Sequence, residues 1–182
     1  MKKLYSLILS LFLSLPLIIY AETPSQKYPS FDNMSVLAYY HTENDYFKKG
    51  LKNKDLSDVE CLAYIIYGEA RGETDEGQVA VGFVVKNRAI KWNKTICEVV
   101  RQPGEFESRI FRLHGESEEN AWWHSLNVAF FLIEDHGYET VKSPVDDAIY
   151  FNSLPADQQG VMGKGRFRRK IGHHYFYGSK RS

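Results

Sequence analysis

The chain has 182 residues, 43% hydrophobic and 14% aromatic, enough for one packed core but not comfortably for two. Its 23 basic and 23 acidic side chains cancel, which excludes a global field drawing it to nucleic acid or anionic lipid. Only two cysteines are present, too few to make a structural zinc site by themselves.

Residues 1–21 read as a secretory signal peptide: Lys2 and Lys3 precede the apolar run "LYSLILSLFLSLPLIIY", and Ala21 offers a small residue for cleavage. A membrane anchor is the competing reading, because the run approaches the shortest length that spans a bilayer. Pro16 and the polar "ETPSQKYPS" beyond it favour cleavage, so membrane contact is expected only through an uncleaved signal segment. No cysteine stands near the cleavage point to carry a lipid anchor. In the oxidising compartment beyond the membrane Cys61 and Cys97 can pair, and two separate buried thiols fit the sequence equally well.

Residues 22–55 are polar and turn-rich apart from Leu37-Ala38-Tyr39-Tyr40, and are expected to form a flexible leader that packs only locally. The folded domain is expected over 56–182, its first helix opened by the capping box Ser57-Asp58-Val59-Glu60. Val59, Leu62, Ala63, Ile66 and Ala70 then share one helical face, with Glu69 at its edge, until Gly72 breaks the helix. Asp75 to Gln78 has cap-like spacing for a second helix carrying "VAVGFVV", apolar nearly all round and therefore central. Thr95-Ile96-Cys97-Glu98 opens a short third helix that Pro103-Gly104 stops. Ser117 can cap a fourth, with Trp122, Val128, Phe131 and Leu132 inward. Beyond it, Asp147–Asn152 and Phe167–Tyr177 are short, aromatic segments separated by a Gly-rich loop, which predicts a small antiparallel sheet. Helices first and a sheet last define an α+β domain.

The stretch "GEARGE", Gly68 to Glu73, carries the chemistry. A carboxyl on the margin of an apolar face is partly desolvated, and desolvation disfavours its charged form. Glu69 is thereby suited to be a general acid that protonates a poor leaving group such as a glycosidic oxygen. The plainer reading is a structural ion pair between Glu69 and an arginine such as Arg88.

The surrounding sequence bears on that choice. The blocks "LAYIIYGEARGETDEGQVAVGFVVKNR", "TICEVVRQPGEFES", "DAIYFN" and "KIGHHYFY", spread over residues 59–177, resemble the SleB/CwlJ-type cell wall hydrolases. The first block, E-A-R-G-E followed by E-G-Q-x-A-V and V-x-N-R, is the specific one; the last two are looser. The resemblance implies a lysozyme-like, mainly helical α+β domain with a small antiparallel sheet near its C-terminus. It implies cleavage of the glycan strand of peptidoglycan with Glu69 as the catalytic acid, and no metal or cofactor is expected. Members that act as lytic transglycosylases leave a 1,6-anhydromuramyl end. The loop "SLPADQQGVMGKGR" departs from the family in lacking a tryptophan.

A hydrolase that uses two carboxylates needs a partner for Glu69, and Glu73, Asp146 and Asp147 are the candidates. Arg71, Glu73, Gln78, Phe106, Tyr150, Asn152 and His173 are the candidate substrate contacts. Gln78, Asn87 and Arg88 can line a sugar groove but fit at least as well a structural network that holds Glu69, and Phe106 fits a core role equally well. His173 and His174 resemble a metal pair, but successive strand residues face opposite ways, and no H-E-x-x-H is present. A metal-dependent amidase is therefore a poor fit. The cluster Lys164, Arg166, Arg168, Arg169 and Lys170 reads as a solvated loop or as contacts to anionic wall groups. The expected partner is peptidoglycan, approached by an exported, periplasmic or secreted enzyme; the alternative is a non-catalytic wall-binding protein on the same fold.

Overall fold

A serine and a glutamate three residues apart start the central helix. The computed structural model describes residues 28–33, 56–104, 106, 116–155 and 165–179, so the signal segment lies outside the described residues. Helix α1, Asp58–Ala70, opens on the full capping box: Glu60 Oε2 accepts from the Ser57 amide at 2.6 Å, and Ser57 Oγ from the Glu60 amide at 3.3 Å. It is buried on every side from Val59 to Tyr67 rather than on one face, because α2, α3 and α4 all pack around it.

Helix α2, Asp75–Trp92, is capped by Thr74, whose hydroxyl accepts from the Gly77 amide at 3.3 Å. The cap therefore stands one residue before the expected Asp75, which occupies the first turn, where a negative charge complements the helix N-terminus. Helix α3, Ile96–Val100, opens on the expected Thr95–Glu98 capping box. A disulfide joins Cys61 of α1 to Cys97 of α3, with Cα atoms 5.2 Å apart. Helix α4, Glu116–Ile133, places Ser117 inside its first turn rather than at its cap; Trp122, Val128, Phe131 and Leu132 all face inward. A Cβ on Gly82 of α2 would lie 2.4 Å from Leu132 Cδ1, so any larger residue there would force the Leu132 side chain of α4 to shift. A short helix α5, Gly137–Thr140, follows.

The chain ends in a three-stranded antiparallel sheet of order β1-β3-β2. Strand β1 is only Tyr150–Asn152, because residues 144–147 form a turn with Asp146 at φ 51°. The expected single segment Phe167–Tyr177 is instead a hairpin, β2 Arg166–Ile171 and β3 His174–Gly178, folded at Gly172-His173. An irregularity between Phe167 and Arg169 interrupts the β2–β3 register. Arg168, the residue it displaces, forms a two-pronged ion pair with Asp147, its Nη2 donating to Oδ2 at 2.8 Å. The architecture is thus mainly helical with a small sheet near the C-terminus.

One part of the leader does more than pack locally. Residues 28–33 lie on α4, with Phe31 fully buried against Phe131 at 5.5 Å between centroids. Asn127 Nδ2 donates to the Phe31 carbonyl. His124 bridges Asp32 and Asp75 at 2.9 and 3.0 Å, tying this stretch to the start of α2. The polar composition of the region hides the two aromatic side chains, Tyr28 and Phe31, that anchor it. Phe31→Ala is expected to cost about 3 kcal/mol, the usual range for truncating a buried phenylalanine. Urea unfolding of the protein measures it, and an unchanged midpoint would show that the stretch contributes nothing to the domain.

Candidate active site

Glu69 sits in the last turn of α1, half-buried, where an otherwise enclosed helix reaches the surface. Arg71 follows as the C-cap and is exposed; its guanidinium folds back over the Tyr67 ring at 5.1 Å. Thr74 then starts α2, so "GEARGE" is the corner between two core helices. A corner of this kind holds Glu69 on rigid backbone while leaving its side chain partly open.

Glu73 is placed quite differently. Its side chain is only 8% exposed. It accepts from the His173 amide at 3.2 and 3.4 Å and pairs with His173 Nδ1 at 2.9 Å. Gln78, also buried, donates to the Glu73 carbonyl at 3.4 Å and accepts from Ser125 Oγ at 3.4 Å. Its side-chain amide is thus turned to protein groups, the Glu73 carbonyl and the Ser125 hydroxyl.

The polar residues of α2 hold the sheet. Asn87 Nδ2 donates to the carbonyls of Asp146 and Ala148, both at 2.9 Å. Arg88 is buried and donates through Nε to the Ile149 carbonyl at 2.6 Å. Its guanidinium lies over the rings of Phe106 at 4.6 Å and of Tyr150 and Trp92, each at 5.6 Å. Phe106 and Tyr150 are thus brought to one cation, Phe106 also meeting Phe151 at 6.5 Å. Tyr150 and Asn152 lie in register with Tyr177 and Tyr175 of β3, half-buried, and Asn152 Oδ1 accepts from the Leu154 amide at 3.0 Å.

The two histidines part company because His173 lies in the turn and His174 opens β3, not through alternation along one strand. His173 is exposed in the turn, whereas His174 is buried, its ring edge-on to Phe151 at 5.1 Å and its Nδ1 without a hydrogen-bond partner among the described residues. Burial holds His174 below the usual imidazole pKa, outweighing the opposite pull of Glu73. The folded state therefore binds fewer protons than the unfolded state as pH falls below about 6.5, and stability present above that value is lost on the acid side. His174→Leu is expected to flatten this slope between pH 5 and 7 in chemical denaturation. Parallel slopes for the variant and the wild type would refute it. Among the described residues no group of three or more His, Cys, Asp or Glu side chains is gathered to hold a metal ion.

Of the candidate second carboxylates, Asp147 is engaged by Arg168, whose hydrogen bond keeps its carboxyl below the usual carboxylate range. Asp146 is exposed in its turn. These pairings join residues 21 and 100 positions apart, which spacing along the chain does not signal. Gly172 directly before His173, between a basic run and an aromatic one, is the local sign of a turn that sequence reasoning passed over.

These features define a mainly helical domain with a half-buried glutamate, Glu69, at a corner of its core, braced by a small aromatic sheet. Residues 72–177 match the family model for cell wall hydrolases, and the chain belongs to that family. The matched span takes in Glu73 and His173 and begins three residues after Glu69. The spore cortex-lytic enzyme of Bacillus subtilis is 30% identical over 127 residues, which cover 66% of this chain and 37% of that protein. The enzyme of the same name from Bacillus cereus is 28% identical over 127 residues, 66% of this chain and 44% of that protein. The chain therefore spans about two fifths of the length of these relatives. Among solved structures, the catalytic domain of the germination-specific lytic transglycosylase SleB from Bacillus anthracis is 25% identical, with a TM-score of 0.47. It covers 69% of this chain and 98% of that domain.

Proposed function

We propose that this protein is an exported, lysozyme-like enzyme that cleaves the glycan strand of peptidoglycan with Glu69 as its general acid and base. The observation that carries the reading is the half-buried Glu69 at the open end of the buried helix α1. Membership of the cell wall hydrolase family supports the substrate class, and the Cys61–Cys97 disulfide fits an oxidising compartment outside the cytoplasm.

The chemistry needs one carboxyl used twice. Protonated Glu69 gives its proton to the glycosidic oxygen as the C1–O bond breaks and positive charge develops at the anomeric centre. The carboxylate left behind takes a proton from the attacking hydroxyl as the new C1–O bond forms. Attack by the sugar's own C6 hydroxyl gives an anhydro end; attack by water gives a reducing end. The engagement of Glu73 by His173 and of Asp147 by Arg168 favours the one-carboxylate route. No metal or cofactor is called for, and Arg71, Phe106, Tyr150 and Asn152 are the side chains assigned to the strand.

Purified peptidoglycan digested with the mature protein and with Glu69→Gln, read by mass spectrometry, tests this. Anhydromuramyl products from the wild type alone support the full reading, and reducing ends would make the protein a hydrolase. Equal products from both proteins would remove Glu69 from the chemistry. Binding without products on several wall types would leave a non-catalytic wall-binding protein.

A further inference from the structure

Glu73 and Gly172 are 99 residues apart in sequence, yet a Cβ on Gly172 would fall 1.7 Å from Glu73 Oε2. Gly172 also has a φ of +54°, a conformation that L side chains rarely adopt. Two separate demands for glycine thus converge on one contact, the seat of the Glu73 carboxylate against the β2–β3 turn. Gly77 closes the other side, where a Cβ would lie 2.7 Å from Glu73 Cβ. The Glu73 amide donates to the Ala70 carbonyl at 2.9 Å, which fixes the same residue to the end of α1.

On the reading of Glu69 given above, we propose that Glu73 is a positioning residue. It latches the Gly172-His173 turn to the Glu69 corner and orients the His173 ring toward the glycan strand. The carboxylate accepts from the His173 amide and from Nδ1, so Nδ1 carries the hydrogen and the ring cannot turn without breaking a charge-assisted bond. Nε2, on the far side of a ring whose side chain is 87% exposed, is left to contact a ligand. Both Glu73 oxygens are spent on His173 and the side chain is nearly enclosed, which leaves it unsuited to take a proton from water. The latch therefore assigns Glu73 to substrate affinity rather than to the chemical step.

The test compares Glu73→Gln, His173→Ala and the double variant with wild type for kcat and KM on soluble glycan fragments. The same changes are placed in the Glu69→Gln background, and binding to insoluble peptidoglycan is measured by sedimentation. Glutamine keeps the shape and one acceptor, and His173 is exposed, so both variants should fold. Each single variant is expected to raise KM and weaken binding roughly tenfold, as for one charge-assisted hydrogen bond. The double variant should be no worse than either alone, since the two side chains act as one unit. A loss of kcat near a thousandfold in folded Glu73→Gln, with KM unchanged, would overturn the proposal by making Glu73 a second catalytic carboxylate. Unchanged KM and binding in both single variants would overturn it by showing that the turn does not face the strand. If the wild type cleaves nothing while binding falls in both variants, the enzymatic reading fails and the latch stands.

Discussion

Glu69→Gln is expected to lower the rate of glycan cleavage by about a thousandfold while leaving the fold intact, the middle of the range for losing a positioned general acid and base. The amide matches the carboxyl in size and can still accept a hydrogen bond, but it has no proton to give to the leaving oxygen and cannot take one from the attacking hydroxyl. A thousandfold corresponds to about 4 kcal/mol of transition-state stabilisation. Because Glu69 is half-buried at the last turn of α1, a purely structural role would appear as lost stability. Thermal unfolding alongside the rate assay separates the two: a lowered melting point with an undiminished rate per folded molecule would assign Glu69 to an ion pair. Glu69→Asp sharpens the test. Its carboxyl is withdrawn by one methylene from a position held by rigid helix, so it should recover little of the rate if geometry decides.

Much of the helical half of the fold was legible, because helix starts are written locally. The Ser57–Glu60 and Thr95–Glu98 boxes each sit within four residues, and the structure shows both with reciprocal hydrogen bonds. The α2 cap was misplaced by one residue because Thr74 and Asp75 are both good caps, and the Thr74 hydroxyl won the Gly77 amide. The burial of α1 on every side depends on which helices surround it, and no periodicity within the helix reports that.

The sheet and the site show the same division more sharply. Strand-like composition was visible at both ends of the sheet, but the turn at Gly172-His173 is fixed by a glutamate 100 residues earlier than His173. The place of Glu69 at the edge of a buried helix follows from the period of that helix, whereas its choice as the candidate acid rests on the resemblance of the E-A-R-G-E block. The roles of Glu73, Gln78 and Arg88 could not be read from a period, because each is decided by a carbonyl, an amide or a ring brought in by another element. Docking of residues 28–33 belongs to the same class, since Phe31 finds its pocket on α4.

Removing the disulfide with Cys61→Ala and Cys97→Ala together is expected to cost about 4 kcal/mol and to lower the melting point by roughly 10–20 °C. The bridge closes a loop with a sequence separation of 36 residues, and loop closure of that length restricts the unfolded chain by about this amount. The loss is a large share of the ~5–15 kcal/mol that holds a typical domain. Helix α3 has the most to lose: at five residues it is too short to persist alone. Besides the bridge it is held by its capping box, by burial of Val99 and Val100, and by a 3.0 Å bond from the Cys97 amide to Asp58. Cys61 lies in the first turns of α1 and Glu69 in the last, so the folded double variant should cleave at the wild-type rate at low temperature and fail only as it unfolds. Calorimetry of the wild type with and without reductant, beside the double variant, checks the stability term. Coincident melting curves in all three would show that the bridge contributes nothing. A rate lost well below the melting point would mean instead that the start of α1 governs the position of Glu69 at its end.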